Sequence, residues 1–468
     1  MQFDATALAD AIRGNKLTAS EAMSASVAKL KDNKFLGSVV AAYPDKGMLS
    51  AKNIDLGLQD GSVKNNAVFS GVPTLAKDLG GPFKGFSVRA GSRVVPVDEG
   101  LDSELAMRFR TAGLCCFGTT TSPEFGLSLA SEPIIGPICR NPLNPDLSAG
   151  GSSGGAASAV ASGIVAIAHA TDAGGSIRVP AACCGLVGFK PSRGAMPSGP
   201  HFTNHLGGIA SELAVCRSVR DTTNIFNAIS GDVKGPYPIG QFAEFPERKL
   251  HIGMLLETGA QYPTDPERLD AVRAAARSLE ADGHEIIPLN WTQVEHMVQE
   301  CAQIFAGIIA TNLADLEQST DWDFSKSEPV TQAAIEKGKL ISGVELWQLM
   351  NRMVLVSRDL WQLFEGLDCL LTPMLSTAPK PIGSFPSDHS DIDLHFDRMT
   401  AFSPLATLAN VSGFPAITMP FGADVNGLPL PIQFLAPMGC EKLLLSLAAR
   451  METELRWQHK FPIAGLDR

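Results

Sequence analysis

The sequence predicts an α/β protein, and three observations carry that expectation. Short apolar runs bounded by glycine turns fill residues 68–191, a strand-like run at 249–256 leads into a helical pattern at 266–282, and strand-and-turn texture returns in the last hundred residues. With 45% apolar and 19% charged residues, the chain can bury a large core.

The elements follow in order. Two helices open the chain, the second announced by Thr18-Ala-Ser-Glu21, a capping box in which Thr18 and Glu21 satisfy each other's backbone donors. Met23, Val27 and Leu30 then share one face, which gives this helix a scaffold role. From Val68 to Pro191 the density of Gly, Ser, Ala and Pro, with runs such as Leu114 to Phe117, predicts short buried strands joined by tight functional loops. A turn-rich stretch from Gly231 to Gly240 precedes a strand at Lys249 to Leu256 and a helix from Pro266 to Asp282, stopped by Gly283. Residues 291–366 are helical in pattern and carry Trp291, Trp322, Trp347 and Trp361 with Met297, Met350 and Met353. These residues are expected mainly in the core, and the segment is the natural place for a substrate wall. Ala416 to Pro420, the turn Asn426-Gly427 and Ile432 to Leu435 form the last strands, before a helix from Glu441 to Glu454. No repeat or linker interrupts the chain, so residues 1–468 are expected as one domain, with a core at about 68–221 and a helical elaboration at about 291–366.

Charge and composition exclude several classes of function. Asp and Glu number 49 against 38 Lys and Arg, a formal charge of -11 with no basic stripe, which argues against a nucleic-acid partner. The start, MQFDATALADAIRGNK, does not read as a signal peptide. The longest apolar stretch, Ala156 to Ala170, is shorter than the ~20 residues that cross a bilayer. Neither a membrane nor export is therefore expected. Nine cysteines, including Cys115-Cys116 and Cys183-Cys184, lack the CxxC spacing of metal sites and read as free, buried thiols of a cytoplasmic protein. No metal and no cofactor are expected.

The chemistry is concentrated in Gly150-Gly-Ser-Ser-Gly-Gly155 and Thr171-Asp-Ala-Gly-Gly-Ser-Ile-Arg-Val-Pro180. Glycines flanking a serine let the backbone come close to a substrate and turn its N–H groups toward one point. The N–H groups of Ala173, Gly174, Gly175 and Ser176 are thus the candidate oxyanion hole, and Ser176 at its end is the candidate nucleophile.

Together the two segments resemble the amidase signature family, whose defining run is matched at every restricted position from Gly150 through Ala181. Gly71-Val-Pro-Thr-Leu-Ala-Lys-Asp78 is similar to that family's lysine segment. Thr120 to Gly126, Arg140-Asn-Pro142, Gly185 to Gly194 and Gly427 to Gln433 extend the likeness over nearly the whole chain. Two departures are Pro431, where glycine is usual, and one extra residue between Gly136 and Arg140. The resemblance implies a central mixed, twisted sheet covered by helices on both faces. It also implies hydrolysis of a C–N amide bond by Ser176, Ser152 and Lys77, and a cis peptide between Gly151 and Ser152. A lysine can take a serine's proton only when neutral, so Lys77 must be desolvated. Ser153, Asp172 and Arg178 are expected to support the loop, the last two as an ion pair. Lys190 and Arg193 read as surface or structural residues. The implied partner is a small-molecule amide, with an anilide or a carbamate among the forms this chemistry suits, and a homodimer is compatible with this reading.

Two other readings stay open at this point. Gly150 to Gly154 also satisfies GxSxG, the elbow of Ser-His-Asp esterases, which would make Ser152 the nucleophile and require one of His389, His395 or His459. The amidase subunit of a tRNA-dependent amidotransferase carries the same signature, although Phe189 to Gly194 and Gly207 to Ala210 resemble stand-alone amidases, among them aryl acylamidases and nylon cyclic-dimer hydrolases. A third match, Ser26-Val-Ala-Lys29, lies inside the scaffold helix without the companion motifs of a β-lactamase.

Overall fold

The computed structural model describes residues 3–61, 67–98, 100–197, 199, 205–233, 239, 241–244 and 248–466. The turn-rich stretch expected at 231–240 lies largely outside them. Strands Val39–Ala42 (β1), Pro73–Lys77 (β2) and Cys115–Thr120 (β3) form a small sheet in the order β1-β3-β2. Arg140–Asn141 (β4) and Asn144–Ser148 (β5) pair antiparallel beside it.

The other strands are Ile167–Asp172 (β6), Val187–Lys190 (β7), Ser211–Cys216 (β8), His251–Leu255 (β9), Glu285–Leu289 (β10), Cys369–Pro373 (β11), Ala416–Ala423 (β12) and Pro429–Leu435 (β13). They build one eight-stranded sheet in the order β10-β9-β11-β13-β12-β7-β8-β6. It is parallel through β10, β9 and β11 and antiparallel from β11 to β6, so the sheet is mixed. Helices Gly154–Ala161, Arg178–Cys184, Pro266–Ala281 and Glu441–Glu452 pack on it, as expected of an α/β protein.

Local sequence explains these elements. Thr18 accepts from the Glu21 backbone while the Glu21 side chain accepts from the Thr18 N–H, and the helix Ala19–Asp32 follows. The 266–282 pattern gives a helix at Pro266–Ala281, with proline in its first turn and Gly283 beyond its cap at φ +91°. Strands β2, β3, β6, β7 and β8 are buried at every residue, so their sequences show no alternation of apolar and polar faces, and the polar side chains they carry, among them Lys77, His169, Asp172 and Glu212, are buried with them. The apolar stretch Ala156 to Ala170 divides between the helix Gly154–Ala161 and β6, and among the described residues no helix is long and apolar enough to cross a membrane. All nine cysteines are free, eight of them buried and Cys440 half-buried.

Side-chain hydrogen bonds join the small sheet to the edge of the large one. Thr74 Oγ1 donates to the Ile167 carbonyl at 2.9 Å, and the Lys77 N–H donates to His169 Nδ1 at 3.1 Å. This seam brings the last residue of β2, Lys77, beside the last two of β6, Thr171 and Asp172.

Candidate active site

Four chain segments converge at that seam: the ends of β2 and β6, the loop Gly150 to Ser153 that enters the helix Gly154–Ala161, and the loop Ala173 to Ile177 that enters the helix Arg178–Cys184. The Gly151–Ser152 peptide is cis, as the resemblance implies. A Cβ on Gly151 would come within 2.6–2.7 Å of the backbone of Ser128, Leu129 and Ala130, so only glycine lets this loop seat itself. Gly175, at φ +109°, turns the second loop in a region that side chains disfavour. The two loops are tied together where the Ser153 N–H donates to the Ser176 carbonyl at 3.2 Å. Ser153 Oγ also donates to the Thr171 carbonyl at 3.1 Å.

Lys77 is fully buried, and its Nζ donates to Ser152 Oγ at 2.6 Å and to Thr171 Oγ1 at 2.7 Å. Burial pushes its ammonium down to about 7, against the opposing pull of the Asp172, Glu212 and Asp78 carboxylates. Near neutral pH the amine can therefore lose a proton, and its lone pair can then accept from Ser152. Behind it, His169 Nδ1 accepts from the Lys77 backbone, which leaves the ring proton on Nε2, 3.1 Å from Glu212 Oε2. The Phe83 and Phe109 rings cover His169 at centroid distances of 5.1 and 5.7 Å. Sequence reasoning missed His169 and Glu212. The one signal was a histidine inside the apolar run Ile167-Ala-His-Ala170.

Asp172 and Arg178, both fully buried, lock the second loop. The guanidinium grips the carboxylate at 2.9 and 3.1 Å and also reaches Gln433 Oε1 at 2.9 Å, Asn410 Oδ1 at 2.7 Å and the Ala406 carbonyl at 3.0 Å. Burial alone would raise the Asp172 carboxyl, but the charge and hydrogen bonds of Arg178 outweigh it and hold the group well below the usual range. Asp172 Oδ1 also accepts the Gly175 N–H at 2.7 Å. Of the four N–H groups read as an oxyanion hole, that of Gly175 is therefore already engaged, leaving those of Ala173, Gly174 and Ser176. Asn410 and Gln433 were not singled out from sequence.

Lys190 is buried, not at the surface. Its Nζ donates to the Pro191 carbonyl at 2.7 Å, and burial, helped by the nearby Arg178 charge, pushes it down to about 7. Arg193 donates to the Gly208 and Val411 carbonyls at 2.7 and 2.6 Å, a structural role.

Ser152, Thr171, Ala173, Gly174 and Ser176 open onto a cavity of about 180 Å³. One wall is the helix Glu295–Ser319, through Ala302, Phe305, Ile309, Asn312, Leu313 and Leu316, spaced so that they share a face. The elaboration at 291–366 thus supplies a cavity wall, but its tryptophans do not line it. Trp347 and Trp361 are 68% and 44% exposed, Trp291 packs against Gly259, and Trp322 stacks on Phe324, which stacks in turn on the lining residue Phe125. Met297, Met350 and Met353 also lie off the cavity. No Asp, Glu, Lys, Arg or His among the described residues lines it. His395, expected in a polar stretch, is buried with Nε2 2.6 Å from the Leu127 carbonyl, and Ser152 faces a lysine where an esterase elbow would need a histidine.

The family model described as Amidase matches residues 21–445. The 6-aminohexanoate-cyclic-dimer hydrolase of Paenarthrobacter ureafaciens is 30% identical over 505 residues, covering 98% of this chain and 96% of that one. The putative amidase AmiC of Mycobacterium leprae is 30% identical over 466 residues, covering 97% and 96%. A solved structure of a 6-aminohexanoate cyclic dimer hydrolase superposes with a TM-score of 0.87 at 27% identity, over 98% of both chains. A bacterial aryl acylamidase superposes at 0.85 and 24%, over 99% of both, a likeness of fold.

Proposed function

The chain belongs to the amidase family and is a hydrolase of carbon–nitrogen bonds other than peptide bonds, and from that premise we propose that Ser176 is its nucleophile, with Ser152 and Lys77 moving the proton. Ser176 Oγ adds to the amide carbonyl while its proton passes to Ser152, whose own proton passes to the Lys77 amine. The negative oxygen is received by the N–H groups of Ala173, Gly174 and Ser176. The relay then returns a proton to the leaving nitrogen, the C–N bond breaks, and an ester remains on Ser176. Water then adds to the ester carbon as its proton passes through Ser152 to the Lys77 amine, the C–O bond to Ser176 breaks, and Ser176 Oγ takes a proton back from the relay as the acid leaves. The observation that supports this most directly is the buried Lys77 amine 2.6 Å from Ser152 Oγ. Likeness over the full length to a 6-aminohexanoate-cyclic-dimer hydrolase supports hydrolysis by this chain itself, so the purified chain should turn over a small amide unaided.

The pH profile tests the proton route. Because Lys77 acts as the neutral amine, kcat/KM should rise with pH through about 7. Glu212 favours the ammonium, so Glu212→Gln should move that limb to lower pH. A limb that stays in place or moves upward would remove Lys77 from the role of base.

We also propose that the substrate is an uncharged amide with an apolar body, an anilide or an aryl carbamate being suitable forms. The support is a cavity walled by Phe125, Phe305, Ile309, Leu313 and Phe396 without an ionisable side chain among the described residues. A carboxylate placed on the ring of an anilide would lose its water without gaining a partner, a penalty of roughly 3 kcal/mol, or about a hundredfold in kcat/KM. Equal turnover of the neutral and the charged anilide would contradict this substrate class.

A further inference from the structure

The helix Glu295–Ser319 carries an asparagine in the middle of its cavity-facing stripe, between Ile309 and Leu316. Asparagine is a poor residue for a helix interior, because its amide competes for backbone partners, so local helix stability does not account for Asn312. Nor does a partner in the fold. Of the other polar side chains that line the cavity, Thr400 donates to the Phe396 carbonyl at 3.0 Å and Ser403 to the Met374 carbonyl at 2.8 Å. Ser128 accepts from the Ala130 N–H at 3.1 Å, and Ser152 and Thr171 are held by Lys77. Apart from Ser176, the lining side chains that bond no group among the described residues are Thr407 and the half-buried Asn312. Thr407 follows Ala406, whose Cβ would lie 2.9 Å from a Cβ on Gly175, so it stands at the reacting end.

Asn312 stands at the other end. A Cβ on Gly174 would meet the Phe305 ring at 2.7 Å, so Phe305 lies against the oxyanion loop. Asn312 comes seven residues later on the same face, and is therefore roughly 10 Å further along the helix axis. The helix runs toward the side of the cavity formed by Phe125 and Gly126, because Trp322, just past its end, stacks on Phe324, which stacks on Phe125. A Cβ on Gly126 would lie 3.3 Å from Ser152 Oγ, and Ser152 is the group that returns a proton to the leaving nitrogen. Asn312 thus belongs to the leaving-amine side of the cavity.

We propose that Asn312 is a specificity residue that reads an uncharged hydrogen-bonding group, a carboxamide or a similar donor–acceptor pair, on the amine part of the substrate, roughly 10 Å from the scissile carbonyl. The proposal rests on attack by Ser176 as read above and adds what the amine carries. A carboxamide opposite Asn312 exchanges two hydrogen bonds with it, one N–H to oxygen in each direction. The reach equals about three residues of extended chain, so an acetamide-sized amide cannot occupy both ends. An amine part ending in an alkyl group strips water from the Asn312 amide and returns nothing, and this asymmetry is what makes a polar group in an apolar wall selective. A carboxylate or an ammonium there meets no counter-charge, since no ionisable side chain among the described residues lines the cavity.

Two acetanilides decide the matter, one with a carboxamidoethyl chain para to the nitrogen and one with the isosteric isopentyl chain. The wild type should prefer the first by about ten- to a hundredfold in kcat/KM, and calorimetric titration of Ser176→Ala should show the same order in binding. Asn312→Leu should abolish or reverse the preference. Asn312→Asp should transfer it to an aminopropyl chain, whose ammonium pairs with the new carboxylate, a switch that a merely structural asparagine would not produce. Equal turnover of the two anilides by the wild type overturns the proposal, as does a preference that persists in Asn312→Leu, or one that appears only when the carboxamide is carried on the acyl side. A binding preference in Ser176→Ala without turnover in the wild type would support Asn312 in this role while contradicting the catalytic assignment.

Discussion

Ser176→Ala is expected to lower kcat/KM on any amide by roughly four to six orders of magnitude, while the protein stays folded. The variant removes the oxygen that bonds to the carbonyl carbon, and nothing else at the site can replace it. Ser152 is engaged by Lys77 at 2.6 Å, and Ser153 is turned toward Thr171. The backbone of residue 176, whose carbonyl accepts from Ser153, holds the two loops together and is retained in alanine. Ser152→Ala and Lys77→Ala should each lose about three to four orders of magnitude, because each interrupts the same proton route. Combining either with Ser176→Ala should add little, the behaviour of residues that act as a unit. Steady-state rates on one anilide across the three single and two double variants check this.

Arg178→Leu should be the most destabilising single change near the site, by about 3–5 kcal/mol in urea denaturation. It leaves Asp172 buried and charged, and it orphans acceptors on Gln433, Asn410 and Ala406 that the guanidinium now satisfies. Arg178→Lys keeps the charge but not the fork, and should fall between wild type and Arg178→Leu. The pH dependence follows from the depressed Asp172 carboxyl. Its contribution is fully present above the ordinary aspartate range, near pH 4, and declines as pH falls below that toward the depressed folded-state value. Wild-type stability should therefore fall on acidification, and the gap between wild type and Arg178→Leu should narrow at the acid end. Arg178→Leu with wild-type stability would mean that the buried pair does not hold the loop.

What could be read from sequence was what is local. The capping box at Thr18 needs four residues, and the glycine-serine loops announce themselves by composition, so both were legible before any fold was known. The His169–Glu212 pair was not, because it is made by register. In the antiparallel pairing of β6 with β8, Thr171 opposes Glu212 and His169 opposes Ala214, so His169 and Glu212 are diagonal neighbours on one face, far apart in the chain. Asn410, from the helix Ala406–Ser412, and Gln433, from β13, reach Arg178 from segments more than two hundred residues away, contacts that only the tertiary fold makes. The tryptophans of 291–366 misled because large apolar side chains were read as buried or pocket-lining. The cavity wall comes from the periodic face 302–316 of the neighbouring helix, while Trp347 and Trp361 sit on the far side of the helix that covers it.

The central claim, a covalent route through Ser176, is tested most directly by mapping the site of an acyl-enzyme mimic. A fluorophosphonate probe should add once per chain, and peptide mass spectrometry should place the adduct on Ser176. The adduct should disappear in Ser176→Ala and slow sharply in Lys77→Ala, whose Ser152 has lost its base. An adduct on Ser152 in the wild type, or undiminished labelling of Ser176→Ala, would contradict the account.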